Sequence, residues 1–353
     1  MFTRPKAKPV IGLDISSSAI KLVELSKSGN GYRVEAYAAE GLPSNAVNEK
    51  AITDVDAVGA AIRRAVKRSG SKLNDVAVAI AGDAVISKTI QLPAGLPARE
   101  LEAQVELQAD QYIPFPMEEV RFDFEVLGPS ERDSETLDVE LVASRTENVE
   151  LRTSAVKAAG LNPKIVDVEE FALDNACKLL RHQMPNNGIE RTVSVIDFGA
   201  TTSTFAVIEN NKVIYSRDFN FGGYQLTEDI MNTYGLSYEE AGKAKKLGGL
   251  PSNYEPQVLD PFIDDMTQQV NRAMQYYLAS SPDRIQPEQL IICGGCANIS
   301  GVTQVIGSKI STPVVLGNPI GDMKVANRAK NVDRDATALM IACGLALRSF
   351  DNA

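Results

Sequence analysis

Histidine and cysteine are scarce in this 353-residue sequence, which has one histidine and four cysteines. His182 would have to serve any Ser-His-Asp or Cys-His relay, and no G-x-S-x-G nucleophile motif accompanies it. A lone histidine with scattered cysteines also does not supply the usual ligands of a zinc site. Hydrolase, protease and zinc-enzyme functions are therefore not favoured.

An excess of positive charge is also absent, because 36 Lys and Arg residues face 46 Asp and Glu residues, a net charge of −10. Without a broad basic surface, nucleic acid is not expected as a partner. The longest late apolar run, residues 339–347, is about half of the roughly 20 residues that a bilayer span needs. This run therefore predicts no direct membrane span. With no secretory signal ahead of them, the cysteines predict reduced thiols and a cytoplasmic protein.

A unit of three strands occurs twice in the sequence. Residues 9–38 predict the strands "PVIGLDI", "AIKLVEL" and "YRVEAYA", and residues 192–218 repeat the pattern as "TVSVIDF", "STFAVIE" and "KVIYSRD". In each copy the first strand ends on an aspartate, Asp14 or Asp197, and a turn rich in Ser and Thr follows. No helix follows the turn directly, unlike in a P-loop or a dinucleotide fold. The repeat predicts duplicated halves that face each other across a cleft.

The turns "ISSSA" and "FGATTS" have the chemistry of phosphate binding. Backbone N–H groups and Ser or Thr hydroxyls donate to phosphate oxygens, a lysine adds a point charge, and an aspartate holds Mg²⁺ through its waters. In "LIICGGCANISG", residues 290–301, Gly294-Gly295 would let the backbone approach a ring or a phosphate closely. Taken singly, an ordinary hairpin and an ordinary β–α turn remain the alternatives. The C-x-x-C spacing of Cys293 and Cys296 does not favour redox chemistry, because Cys293 lies in an apolar strand.

Composition along the chain predicts four structural units. Residues 1–84 form the first half, completed by residues 164–188 and 336–353. Residues 85–163 form an αβ insertion. Residues 189–225 form the second half, completed by residues 289–335, and residues 226–288 are a helical insertion within it.

Five stretches resemble, in order, the nucleotide-site motifs of the actin, Hsp70 and sugar-kinase superfamily. They are "IGLDISSSAIKLVEL", "VDVEEFALDNA", "VIDFGATTSTFAVIE", "LIICGGCANISG" and "LMIACGLALRS". The resemblance implies an α/β fold of duplicated ribonuclease H-type halves, subdomains 1A and 2A, with 2B as the helical insertion. The αβ insertion looks like subdomain 1C of FtsA, the bacterial division actin. Within that branch, "LEAQVELQADQYIPFPMEEVRFDFEVL" is similar to a stretch peculiar to the PilM family of type IV pilus assembly proteins.

The resemblance to this superfamily implies a set of nucleotide-contacting residues. Asp14 and Asp197 would hold Mg²⁺ through water, and Glu169 stands where several relatives orient the attacking water. The other matching positions supply the two phosphate turns, a glycine pair along the triphosphate, the adenosine turn and a lysine near the ribose. They are Ser16, Ser17, Ser18, Lys21, Gly199, Thr201, Thr202, Gly222, Gly223, Lys245, Gly294, Gly295, Cys296 and Asn298.

Four positions depart from the superfamily pattern. Ser16 and Ser18 stand where actins prefer glycine, Ala200 replaces a residue that is often acidic or glycine, and Gly242 occupies a common ribose-contacting Glu site. Binding tolerates such changes better than hydrolysis, which needs a water held in line and a second charge at the transferring phosphoryl group. We therefore expect ATP and Mg²⁺ binding with weak or absent ATPase activity.

The PilM resemblance also implies a partner. Proteins of this family bind the N-terminal tail of the inner-membrane protein PilN, and so are recruited to the inner face of that membrane and tied indirectly to PilO, PilP and the pilus motor platform. A peptide groove between the insertion and the first half would supply this function. Ile113 and Phe115, beside the proline-fixed bend "YIPFP", are candidates for its apolar rim, with packing inside the insertion as the alternative for each. Self-association stays open.

Two other functions fit the same fold. A sugar or acetate kinase should carry acceptor-binding polar residues in a first-half insertion, and the apolar "IPFP" bend offers no obvious sugar site. An FtsA-like filament anchored to the membrane would be expected to end in a basic amphipathic helix, whereas this sequence ends at "ALRSFDNA".

Overall fold

The computed structural model describes residues 9–130 and 133–350. The first half starts with a meander of long strands and continues through a short hairpin, a helix and a further strand. Its elements are β1 (Ile11–Ile15), β2 (Ala19–Ser28), β3 (Gly31–Gly41), β4 (Val47–Asn48), β5 (Ala51–Ile52), α1 (Val55–Ser69) and β6 (Asp75–Ile80).

Local sequence sets the ends of helix α1. The side chain of Asp54 accepts from the backbone N–H of Ala57 at the start of the helix. Gly70 ends the helix with a φ of 67°, in the left-handed region that glycine adopts without strain. Helix α1 packs on the first sheet through buried residues that include Val58 and Ile62.

The insertion that follows β6 is a small antiparallel sheet covered by one helix. Its elements are β7 (Val85–Pro93), α2 (Ala98–Tyr112), β8 (Val120–Pro129) and β9 (Thr136–Arg145), and the strand order is β7-β9-β8. It has an apolar core of its own, which joins Leu92 and Leu141 of the sheet to Val105 of the helix. The FtsA-like insertion expected from the sequence is therefore present as a separately packed unit.

The helix after the insertion packs with the first half. The chain returns through α3 (Thr146–Ala158), β10 (Asn162–Val168) and α4 (Glu169–Cys177). Ala155 and Val156 of α3 lie in the same core cluster as Ile62 of α1, not in the core of the insertion. The boundary expected at residue 163 is thus too late, because the apolar face of α3 is buried against α1.

The second half repeats the meander and then carries its own helices. Its elements are β11 (Thr192–Phe198), β12 (Ser203–Glu209), β13 (Lys212–Phe219), α5 (Gly223–Tyr234), α6 (Tyr238–Leu247), α7 (Asp260–Ala279), β14 (Gln289–Gly294), α8 (Val302–Lys309) and β15 (Val314–Leu316). The last strand and helix described are β16 (Lys324–Val325) and α9 (Met340–Leu347).

The two sheets have matching topologies. The first has the order β10-β6-β1-β2-β3-β16 and the second β13-β12-β11-β14-β15. In each, the first strand of the meander pairs antiparallel with the second and parallel with a later strand, β6 or β14. The predicted duplication is therefore confirmed, and the carboxyl ends of β1 and β11 occupy equivalent places. Strand β16 pairs with β3, so the chain returns to the first half before residue 336, where the sequence places that return.

Helices α4 and α9 join the two halves. Leu173 of α4 and Met340 of α9 belong to a core cluster with Val195 and Ile291 of the second sheet, whereas Leu345 packs with Val10 beside the first. The two helices approach very closely, because a Cβ at Gly344 would lie 1.7 Å from the carbonyl oxygen of Ala172. Only glycine fits at this crossing.

Candidate functional site

The two Ser- and Thr-rich turns meet between the halves. The Ser17 Oγ lies 3.1 Å from the Thr201 Oγ1, although the residues are 184 positions apart in sequence. The turn after β1 is tight, because both the N–H and the hydroxyl of Ser16 donate to the carbonyl of Ala19. The two turns, one from each half, are thus in direct contact through their hydroxyls.

A partly buried ion pair lies beside the first turn. Asp14 at the end of β1 is directly opposite Lys21 on β2, and the Lys21 Nζ lies 2.8 Å from the Asp14 Oδ2. Asp14 is 5% exposed. Burial lowers the pKa of Lys21, but Asp14, Asp197 and Glu169 raise it, and the net direction is upward. Lys21 therefore keeps its charge beside the first turn.

Asp197 occupies the equivalent place at the end of β11. Burial raises the pKa of its carboxyl to about 6; Asp14 and Glu169 push in the same direction, and Lys21 and Lys50 oppose them. A carboxyl in this position gains from a nearby cation, because the cation offsets both burial and the neighbouring negative charges. No cluster of three or more His, Cys, Asp or Glu side chains in residues 9–130 and 133–350 could ligate a metal directly.

Glycines let the second turn pack against the start of α5. The N–H of Gly223 donates to the carbonyl of Gly199 at 3.0 Å, and that of Tyr224 donates to Ala200 at 2.7 Å. A Cβ at Gly222 would lie 2.5 Å from the carbonyl oxygen of Ala200. The glycine pair predicted to line the triphosphate is thus in backbone contact with the second phosphate turn.

The third motif lies beside the same turn. Gly294 has a φ of 90°, and a Cβ there would lie 2.2 Å from the carbonyl oxygen of Phe198. Gly295 has open space where its Cβ would be. The Cys296 thiol donates to the carbonyl of Gly199, and burial raises the pKa of that thiol to about 12. Such a neutral thiol does not suit a redox pair.

Two further predicted residues lie next to these turns. The Lys245 Nζ donates to the carbonyl of Gly223 at 2.7 Å and to the Thr227 hydroxyl at 2.6 Å. Burial lowers the pKa of Lys245. Asn298 accepts a hydrogen bond from Thr337 at 3.1 Å. Hydrogen bonds therefore connect the second phosphate turn, the glycine pair, Lys245 and the adenosine turn, and the roles of these residues in binding stay a prediction.

Sequence reasoning missed three polar residues at this site. The Lys50 Nζ lies 2.6 Å from the Glu169 Oε2 and 3.8 Å from the Asp218 Oδ2, and Asp218 accepts from the Thr204 hydroxyl at 2.7 Å. Thr337 also contacts the carbonyl of Gly294. None of Lys50, Asp218 and Thr337 belongs to a motif, so only tertiary contacts identify them. Burial lowers the pKa of Lys50, but Glu169 and Asp218 raise it, and the net direction is upward.

A groove lies beside the insertion, between the β4–β5 hairpin, the end of β6 and helix α3. Its lining includes Lys50, Ile52, Ile80, Ala84, Asn148 and Arg152. The rim prediction for Ile113 is wrong, because this side chain is 5% exposed and packs in the core of the insertion. Phe115 is 38% exposed, but its ring lies under the guanidinium of Arg145, and neither residue lines the groove.

Within the described ranges, no helix combines the length and apolarity that a membrane crossing requires.

Two α/β halves of matching topology, with paired phosphate-type turns between them, define the chain as a protein of the actin-like ATPase fold. The chain belongs to the PilM family: the model described as "Type IV pilus assembly protein PilM" matches residues 12–350. The solved PilM-PilN type IV pilus biogenesis complex is 26% identical, with a TM-score of 0.79, over 99% of this chain and 100% of that chain.

More distant relatives share the fold. Cell division protein FtsA of Bacillus subtilis (strain 168) is 23% identical over 258 residues, which are 67% of this chain. That match spans only 57% of the FtsA sequence. MreB5 of Spiroplasma citri bound to ADP is 14% identical, with a TM-score of 0.50, over 99% of this chain and 100% of that chain.

Proposed function

We propose that this protein binds Mg-ATP between its halves and binds the N-terminal tail of a PilN protein in the groove beside the insertion. The tail would recruit it to the inner face of the inner membrane and link the alignment complex, with PilO and PilP, to the pilus motor platform. The observation that carries this proposal is the full-length match to the PilM-PilN complex, at a TM-score of 0.79.

The arrangement of charge supports nucleotide binding. Lys21 and Lys50 offer positive charge to phosphates, and the amides and hydroxyls of both turns are the donors that phosphate oxygens accept. Asp14 and Asp197 would hold Mg²⁺ through its waters, because Mg²⁺ usually keeps part of its hydration shell. The ion, when bound, would neutralise phosphate charge. A neighbour of the same fold has ADP bound, which is consistent with this assignment.

Weak or absent hydrolysis is supported by Ala200 in the second phosphate turn, where the superfamily often has an acidic residue or glycine. Hydrolysis needs a water held in line and a second charge at the transferring phosphoryl group. The methyl side chain of Ala200 supplies neither. ATP would then act mainly as a ligand that joins the two halves.

The groove supports a peptide partner. It combines apolar walls, from Ile52 and Ile80, with the polar side chains of Asn148 and Arg152. An extended peptide needs both, because its backbone seeks hydrogen bonds while its apolar side chains seek pockets.

The test is a titration of labelled PilN-type N-terminal peptide, followed by fluorescence anisotropy, with and without Mg-ATP. We expect saturable binding, none with a scrambled peptide, and at least about tenfold weaker binding by Ala84→Arg, which would fill the groove. Ala94→Arg is the matched control, because Ala94 is exposed on the insertion outside the groove. No saturable binding in either nucleotide condition would overturn the peptide assignment.

The FtsA match favours one second candidate, an assembly protein that forms filaments. Sedimentation of the protein with Mg-ATP would test it. Nucleotide-dependent polymers that do not bind the peptide would favour filament formation over the PilN role.

A further inference from the structure

The short hairpin of residues 47–52 lies between the groove and the nucleotide site. Its turn puts Glu49 and Lys50 in the left-handed region, with φ of 45° and 68°. Residues 49–52 line the groove. Lys50 lines the groove and its side chain also reaches Glu169 at the start of α4, so one residue takes part in both sites.

Arg152 fastens this hairpin to the first phosphate turn. Its guanidinium donates to the carbonyl of Lys50 at 2.9 Å and to the carbonyl of Ile15 at 3.3 Å. Ile15 directly precedes the serines of the turn, and Arg152 also lines the groove. Arg152 is 4% exposed, so its contacts are held in a packed environment. Through these Arg152 contacts, a shift of the hairpin would move the turn, the groove wall or both.

Lys50 also touches both halves of the protein. Its Nζ pairs with Glu169 of the first half and lies 3.8 Å from Asp218 on β13 of the second half. The Lys50 and Glu169 side chains are 16% and 15% exposed. A polyphosphate between the turns would compete with Glu169 for the Lys50 ammonium. Phosphate and carboxylate are both negatively charged, so both attract this positive group.

We propose that the hairpin of residues 47–52 couples the two ligands: Lys50 contacts the terminal phosphate of ATP in exchange for Glu169, and the hairpin then changes the groove that binds the peptide. This inference rests on the proposed function. A coupling between two ligands requires two sites and a contact that differs between the states. Here the sites are the nucleotide site and the groove, and the contact that differs is the one made by Lys50. Arg152 is a positioning residue in this scheme, because it holds Lys50 by its backbone.

The test compares the Kd of the peptide without nucleotide, with Mg-ADP, and with Mg²⁺ and a non-hydrolysable ATP analogue. In the wild-type protein the analogue should change the Kd at least about fivefold, the lower end of typical couplings, and ADP should change it less. The peptide should change the Kd of the analogue by the same factor, since linkage is reciprocal.

The variant is Lys50→Met combined with Glu169→Gln, so that no unpaired buried charge remains. In this double variant the ratio of the peptide Kd values measured with and without the analogue should be about one. Lys50→Arg should keep most of the wild-type change in the peptide Kd. Lys67→Met is the matched control, because Lys67 is an exposed lysine on α1. Circular dichroism establishes that each variant is folded.

The outcomes separate this inference from the proposed function. The inference is overturned if peptide and analogue both bind the wild-type protein but the analogue does not change the peptide Kd. It is also overturned if the folded double variant shows the same change in peptide Kd as the wild type. In both cases the proposed function stands. If no peptide binds in any condition, the proposed function fails and takes the inference with it.

Discussion

Replacing Asp197 with asparagine should stabilise the nucleotide-free protein at neutral pH while weakening its binding of Mg-ATP. Burial is the main cause that raises the pKa of this carboxyl from 3.8 to about 6. Below pH 3.8 the folded and unfolded states both carry the proton. Between pH 3.8 and 6 the unfolded carboxyl ionises first, so the free energy of unfolding falls as pH rises. Above pH 6 both states are ionised and the loss is complete.

The two pKa values set the size of the effect. Their difference corresponds to about 3 kcal/mol, at 1.36 kcal/mol for each tenfold change in the ionisation constant. Asparagine does not ionise, so Asp197→Asn should be more stable than wild type by up to about 3 kcal/mol at pH 8 and by about 1 kcal/mol at pH 4.5. The pH dependence of the difference is more diagnostic than its absolute size.

Urea unfolding of the nucleotide-free protein at both pH values measures this difference. Asp110→Asn is the control, because it makes the same change of side chain at an exposed position on α2. A gain for Asp197→Asn that is no larger at pH 8 than at pH 4.5 would refute the reasoning. Isothermal titration should show weaker Mg-ATP binding by the variant, because the carboxylate that attracts Mg²⁺ is lost.

Three further predictions follow from burial and close contact. Gly294→Ala should destabilise the protein by about 1–3 kcal/mol and weaken ATP binding in a thermal-shift assay, because its φ of 90° and the 2.2 Å approach to the Phe198 carbonyl both oppose a Cβ; an unchanged melting temperature would contradict this. Ile113→Ala should cost about 2–5 kcal/mol in urea unfolding, since it leaves a cavity in the insertion core, whereas exposed Phe115→Ala should cost much less. Iodoacetamide at pH 8 should not label the native protein and should label all four cysteines in urea, as measured by mass spectrometry. Each cysteine is buried, and the pKa of the Cys296 thiol is raised to about 12. Fast labelling of the native protein would contradict this burial.

The motifs of the site could be predicted because each is contiguous. Asp14 and Lys21 are partners across one hairpin, so their spacing already brings them together when the turn is tight. The alternation of apolar residues and the Asn210-Asn211 turn likewise predict the second meander. By contrast, α3 was assigned to the insertion, because its sequence shows that it is a helix but not which neighbour buries its apolar face.

Ile113 shows the same limit at the level of one side chain. The sequence "YIPFP" indicates a bend with two large apolar residues, and it does not distinguish an exposed rim from a packed core. The structure separates the two, with Ile113 inside and Phe115 outside.

Short-range order alone specified the duplicated strand units, their hydroxyl-bearing turns and the glycine-rich third motif, because strand periodicity and turn chemistry act over a few residues. Only the folded chain brings Lys50 to Glu169, which is 119 positions away, and Arg152 to the carbonyl of Lys50, which is 102 positions away. No local pattern encodes such pairs, since they exist only after distant segments pack and burial makes each unpaired charge costly. The turns that border the nucleotide site could thus be read along the chain, whereas the ion pair beside the groove required the assembled fold.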